Sequence, residues 1–283
     1  MNKYFLLLNF LILLTFVESK SNRIVTVGGS VTETVFALGS GKSVVAVDWS
    51  SRIPSKVSKL PQVGYLRQLS SEGILSMNPD RILTTSEIGP PKVVDQLSNS
   101  GIDFHIFNSP QSYNDIINMI SDVSILLNKN KKAKKIIKKL NKLDMELRDY
   151  QPNGNDSLNV ILFMNPTSIS YNAAGSKTRA DYLIEYIGGK NIFRDSFNRY
   201  SKITKEDIIF SNPDVILVGY VEMINPNRSE LTSLFTENSA FKHVSAVKND
   251  KVIAIDIGKY LNFGPSFVSN AFELKKNIYK WKI

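Results

Sequence analysis

The sequence contains no cysteine. That removes disulfides, thiol nucleophiles and thiolate metal sites, and it removes the residue that a bacterial lipid anchor modifies. Histidine is almost as scarce, with only His105 and His243 present. A metal site built from several histidines is therefore poorly supplied, and a Ser-His-Asp arrangement is confined to those two positions. No Gly-x-Ser-x-Gly elbow, His-Glu-x-x-His motif or full Gly-x-x-x-x-Gly-Lys-Ser/Thr phosphate loop occurs, so the usual signatures of hydrolytic and phosphate chemistry are missing. Past the N-terminus, no run approaches the roughly 20 apolar residues that a spanning helix needs.

The one long apolar run is at the start. Lys3 precedes Tyr4 to Leu8 and Phe10 to Val17, which reads as a signal peptide over residues 1–19, with cleavage expected after Ser19. The mature chain is expected to be exported, soluble and free of a lipid anchor. The full sequence, with 283 residues, 42% of them hydrophobic, has enough chain for two medium domains. The net charge is +9. Much of it falls in one segment, Lys129, Lys131, Lys132, Lys134, Lys135, Lys138, Lys139 and Lys142, which reads as a solvated helix face. No aromatics interleave with these lysines, which argues against a nucleic-acid partner. A mildly basic surface suits an anionic small ligand.

Short β-branched runs at Arg23–Val27, Ser43–Val47, Arg81–Thr84 and Asp103–Phe107 read as strands. Helical spacing separates them at Val31–Leu38, Glu72–Met77 and Pro91–Ser98. The alternation returns with strands at Asn159–Met164, Val215–Val218 and Lys251–Asp256, and helices at Arg179–Ile187, Lys205–Phe210 and Ser266–Tyr279. An internal echo joins the halves, because Ile74 to Leu83 resembles Ile208 to Leu217 around a shared Asn-Pro-Asp. The expected fold class is α/β: two Rossmann-like lobes with mostly parallel sheets, joined by one long backbone helix, with a ligand cleft between them. The boundaries are 20–128 for the N-terminal lobe, 129–152 for the linking helix and 153–283 for the C-terminal lobe. Along that helix Ile136, Ile137, Leu140, Leu143 and Leu147 form an apolar stripe opposite the lysines. Such a connection leaves the lobes little freedom to hinge.

Several motifs resemble the helical-backbone class of bacterial substrate-binding proteins, whose members include cobalamin and siderophore binders. These are Arg23 to Glu33 with Gly28-Gly29, Asn78-Pro79-Asp80, and Gly188-Gly189-Lys190-Asn191. A narrower resemblance, to periplasmic haem-binding proteins of haem ABC importers, rests on Val63-Gly64-Tyr65-Leu66-Arg67-Gln68-Leu69-Ser70 through Ser76 and on Ser86-Glu87-Ile88-Gly89-Pro90-Pro91. Ala173-Ala174-Gly175 with Thr178, and Asn262-Phe263-Gly264-Pro265, resemble the same group's second lobe. The resemblance implies a periplasmic location, haem as the transported ligand, a permease of the inner membrane as partner, a monomer and no catalysis. It also places the axial iron ligand, a tyrosine, at Tyr65.

The chemistry of Tyr65 agrees with that role only if its phenolate is favoured, since a phenol with pKa near ~10 is mostly protonated at neutral pH. In an extended loop Arg67 points the same way as Tyr65 and supports the phenolate, or pairs with a haem propionate. Some members of the group add a histidine from lobe two, at a position equivalent to Pro166 and Thr167 here, so a single tyrosine ligand is expected. His105 reads as a buried strand residue and His243 as part of a surface turn. Ser266 stands where an arginine often follows Phe-Gly-Pro, so Arg179 and Arg228 are the replacement propionate partners. Tyr171, Tyr220, Met164 and Met223 are candidate cleft-lining groups, and Glu87 and Glu230 are conceivable permease contacts. The Gly28-Gly29 pair reads as a tight turn with Ser30 or Thr32 capping the helix. Alternatives are a siderophore or cobalamin binder of the same fold and, more distantly, a two-lobed α/β enzyme.

Overall fold

The computed structural model describes residues 22–151, 157–221 and 227–279. The expected signal peptide, the Pro152 to Asp156 break and Met223 lie outside the described residues. Lobe one is a four-stranded sheet of β1 (Ile24–Val27), β2 (Val44–Val47), β5 (Arg81–Thr85) and β6 (Asp103–Phe107), in the order β2-β1-β5-β6. All its pairings are parallel. A two-stranded hairpin, β3 (Gly64–Tyr65) and β4 (Gln68–Leu69), sits between β2 and β5 in sequence. β1 is buried from end to end, as a central parallel strand covered on both faces must be.

Lobe two centres on β7 (Asn159–Met164), β11 (Val215–Tyr220) and β12 (Val252–Asp256), which are parallel. β8 (Tyr171–Ala174) and β10 (Tyr200–Ile203) extend the sheet antiparallel on one side, and β9 (Lys190–Asn191) adds a short parallel pairing to β7. Both sheets are thus mostly parallel, with an antiparallel margin in lobe two.

The internal echo has a physical basis. Asn78 and Asn212 each hold a left-handed backbone, with φ of 47° and 42°, which asparagine tolerates at helix ends. The aspartate two residues on then grips the neighbouring strand in both lobes. Asp80 Oδ2 accepts the Arg23 N–H at 2.8 Å and its own N–H donates to the Arg23 carbonyl. Asp214 repeats this with Asn159, at 2.9 Å for the carboxylate contact. Each lobe therefore fixes the register of its central strands with the same tripeptide.

The helix Asn130–Asp149 links the lobes. It buries Ala133, Leu140 and Leu147 at seven-residue spacing, with Ile136, Ile137 and Leu143 partly buried beside them and the lysines exposed. The final helix, Phe267–Tyr279, returns to pack on it. There buried Lys275 donates from Nζ to the Leu147 carbonyl at 2.9 Å, a cation at a helix C-terminus where the exposed carbonyls favour it. One continuous hydrophobic cluster includes Ile24 and Val35 of lobe one, Leu140 of the linker, and Val160, Leu183 and Phe267 of lobe two. Rings continue this junction: Tyr182 stacks on Tyr186, and Tyr186 in turn meets both Tyr113 and Phe267. The Tyr113 hydroxyl donates to Asn141 at 2.6 Å and that of Tyr186 to Asp144 at 2.5 Å. A shared core of this kind resists hinge motion.

His105 departs from the expected burial. It stands on β6, the edge strand, with its side chain 35% exposed, and its Nε2 lies 2.6 Å from Asp103 Oδ1. The aromatic and aliphatic neighbours suggested a buried face; an edge position leaves one side open to water. His243 is exposed, in agreement with a surface turn.

Candidate functional site

In parallel α/β sheets, ligands gather beyond the carboxyl ends of the strands, and in lobe one three such ends are locked together. After β1, Gly28 adopts φ +111° and donates its N–H to Asp48 Oδ1, beyond β2, at 2.7 Å. Asp48 also accepts the Ser50 N–H at 2.9 Å and both the Ser50 and Ser51 hydroxyls. Four donors on one buried carboxylate hold the loop that presents Trp49, whose residue is 55% exposed. The Trp49 N–H donates to the Gly64 carbonyl at 2.9 Å, so the loop continues into the β3–β4 hairpin.

That hairpin pairs Tyr65 with Gln68 across a turn at Leu66 and Arg67. Buried Leu66 anchors the turn. Gly89, in the loop after β5, donates its N–H to Leu66 O and accepts from the Leu69 N–H. Tyr65 is thereby held over the strand ends with 40% of its surface exposed. Arg67 sits in this turn rather than in the extended segment expected of it. The chain turns back at Arg67, and its guanidinium instead meets Glu87 Oε1 at 3.1 Å.

The other Glu87 oxygen crosses to lobe two, meeting Arg179 at 3.2 Å. Arg179 opens the helix Arg179–Tyr186, which Thr178 caps. Its Nε donates to the Pro110 carbonyl at 2.9 Å and its Nη2 to Ser109 Oγ at 2.6 Å, while the Phe263 ring lies 5.6 Å from the guanidinium carbon. Burial lowers the Arg179 pKa from its ordinary value, and Glu87 opposes the shift. Tyr200 stands close by: burial raises its hydroxyl to about 12, with Arg179 and Thr178 pulling the other way. Side-chain exposure falls from 60% at Arg67 through 26% at Glu87 to 20% at Arg179, so the cluster runs inward from solvent along the lobe boundary.

A second polar tie lies deeper. Glu33 of lobe one accepts the Ser266 N–H at 2.6 Å and Asn262 Nδ2 at 2.7 Å. The Asn262 side chain fills the space where Gly29 would carry a Cβ. The Gly28-Gly29 turn is therefore occupied from lobe two. Gly28 is the helix cap residue and no side chain caps it; Thr32, expected as a possible cap, instead hydrogen-bonds Thr26 and Ser51. Ser30, the other expected cap, lies inside the helix, where its carbonyl accepts the Thr34 hydroxyl.

Among the other residues singled out from the sequence, Tyr171 and Tyr220 do not line a cleft. They are 3% and 2% exposed. Tyr171 packs on Phe163, Phe235 and Phe241 in the lobe-two core, because the antiparallel β8 turns its side chain inward. Met164, at the end of β7, is half-buried against the main core. Arg228, itself exposed, opens the helix Arg228–Thr236, with its guanidinium 5.5 Å from the Tyr220 ring centre. The structure adds Trp49, Glu87 and Tyr200 to the site. Trp49 had a legible signal, an aromatic two residues past a strand end; Tyr200 had none, since its strand was not evident.

Periplasmic heme-binding protein RhuT from Roseiflexus sp. RS-1, in apo form, superposes with a TM-score of 0.82 and 27% identity, covering 92% of this chain and 98% of that one. Heme-binding protein HutB of Vibrio cholerae gives 0.80 and 27%, covering 92% and 99%. Among curated relatives, an uncharacterized ABC transporter substrate-binding lipoprotein of Bacillus subtilis is 24% identical over 93% of this chain and 82% of its own length. A vitamin B12-binding protein of Yersinia pestis is 25% identical over 73% of this chain and 72% of its own length. The family model for periplasmic binding proteins matches residues 24–257, and with this coverage the chain belongs to the periplasmic binding protein family.

Proposed function

We propose that this protein binds haem at the junction of its lobes and passes it to an ABC-type importer in the inner membrane. The observation that carries this reading is Tyr65, exposed on a hairpin pinned over the strand ends, together with two arginines, Arg67 of the same hairpin and Arg179 of lobe two, that converge on Glu87 at the lobe boundary. A tyrosine oxygen is a known haem ligand. Arginine forks match carboxylates, which suits the propionates. Exposed Trp49 offers an apolar face, and burying a porphyrin plate contributes most of the affinity while the iron ligand sets orientation. Arg228, at the start of its lobe-two helix, is a further basic group for the same ligand.

Release follows without chemistry, by the importer disturbing the lobe boundary, so the protein is a carrier and not an enzyme. It works as a monomer in the periplasm. Residues 1–19 direct export. The Yersinia relative favours a second reading, cobalamin. Titration with ferric haem and with cobalamin separates them: saturable one-to-one binding of haem, unaffected by excess cobalamin, is expected. Saturable cobalamin binding with no haem binding transfers the function to the second ligand.

A further inference from the structure

Glu87 is one carboxylate held by two guanidiniums from opposite lobes, Arg67 at 3.1 Å and Arg179 at 3.2 Å. Arg179 is anchored without it, through the Pro110 carbonyl and the Ser109 hydroxyl. Glu87 is thus not needed to aim Arg179. What it supplies is negative charge at the point where anchored Arg179 and the more exposed Arg67 converge, which is the chemistry of a carboxylate ligand. A neutral side chain there would leave two arginines facing each other across the lobe boundary, a costly arrangement for partly buried like charges.

We infer that Glu87 is an internal stand-in for the ligand's carboxylate, and that an incoming carboxylate-bearing ligand displaces it from Arg67 and Arg179. The inference rests on the proposed haem function and deepens it, since it makes Glu87 a specificity residue for anionic porphyrins. The consequences are two. The ion pair holds this point of the lobe boundary together, and neutral ligands do not break it, so they gain nothing from the arginines. An anionic ligand binds against the competition of Glu87, which lowers its affinity and eases its later release.

The test compares wild type with Glu87→Gln, using ferric haem and haem dimethyl ester, whose propionates are uncharged. The variant is expected to bind haem roughly tenfold more tightly, within the usual size of a coupling between sites, and to bind the ester as wild type does. Unchanged or weaker haem binding makes Glu87 a strut for the arginines and overturns the inference, as does an equal gain for both ligands. If wild type binds no haem at all, the proposed function itself fails and this inference with it. A second measurement needs no variant: in wild type, diamagnetic gallium protoporphyrin is expected to shift the Nε–H resonances of Arg67 and Arg179, and its dimethyl ester to leave them in place. Arginine signals that respond alike to both contradict the displacement.

Discussion

Glu33 and Asn262, 229 residues apart in sequence, meet across the lobe boundary with Asn262 Nδ2 donating to Glu33 Oε2 at 2.7 Å. The carboxylate is buried. Burial raises its pKa above the ordinary 4.5, and the hydrogen bonds from Ser266 and Asn262 only partly oppose this. The folded chain therefore holds this proton to higher pH than the unfolded chain does. Stability from this group is full below about pH 4.5 and is lost as pH rises through the raised value. Urea midpoints between about pH 4 and pH 7 should show wild type losing ground to Glu33→Gln as pH rises; a constant difference between the two rules this out.

Gly29 carries the same contact from the other side. A Cβ there meets the Asn262 side chain and comes within 2.9 Å of the Ser50 carbonyl. Gly29→Ala should cost about 1–3 kcal/mol, as overpacking of a tight site does. Removing part of the obstruction with Asn262→Ala should recover some of that loss, although the Ser50 backbone remains. Chemical denaturation of the single and double variants measures both effects.

The parallel core was legible because buried strands such as Val25 and Val218 stand in continuous apolar runs closed by Gly or Pro, and because Asn-Pro-Asp marks a helix end at Asn78 and Asn212 alike. The margin of lobe two was not. Tyr171-Asn172-Ala173-Ala174 carries no β-branched residue, and Tyr200-Ser201-Lys202-Ile203 alternates too briefly to stand out, so β8 and β10 went unseen and Tyr171 was assigned to a cleft. At the site, Tyr65 was legible through its motif. Arg67's partner was not, because a two-residue turn and a loop 20 residues away decide it. The pairing of Arg67 and Arg179 through Glu87 depends on tertiary contact, which spacing along the chain does not encode.

The corrected place of Tyr171 has its own consequence. With its ring among Phe163, Phe235 and Phe241, truncation to alanine should cost about 3–5 kcal/mol of stability. Tyr171→Phe keeps the ring and should leave haem titration unchanged. A loss of haem affinity in the folded phenylalanine variant places Tyr171 in the cleft after all.

The most direct measurement is an ultraviolet–visible titration of the mature chain, residues 20–283, with ferric haem, beside Tyr65→Phe. Tyr65 lies at an exposed turn, so the variant should fold as wild type. Wild type should form a saturable one-to-one complex with a high-spin, phenolate-type spectrum, and the variant should lose that spectrum. A variant that binds haem with an unchanged spectrum shows that Tyr65 is not the iron ligand, and a wild type that does not saturate with haem removes haem as the ligand.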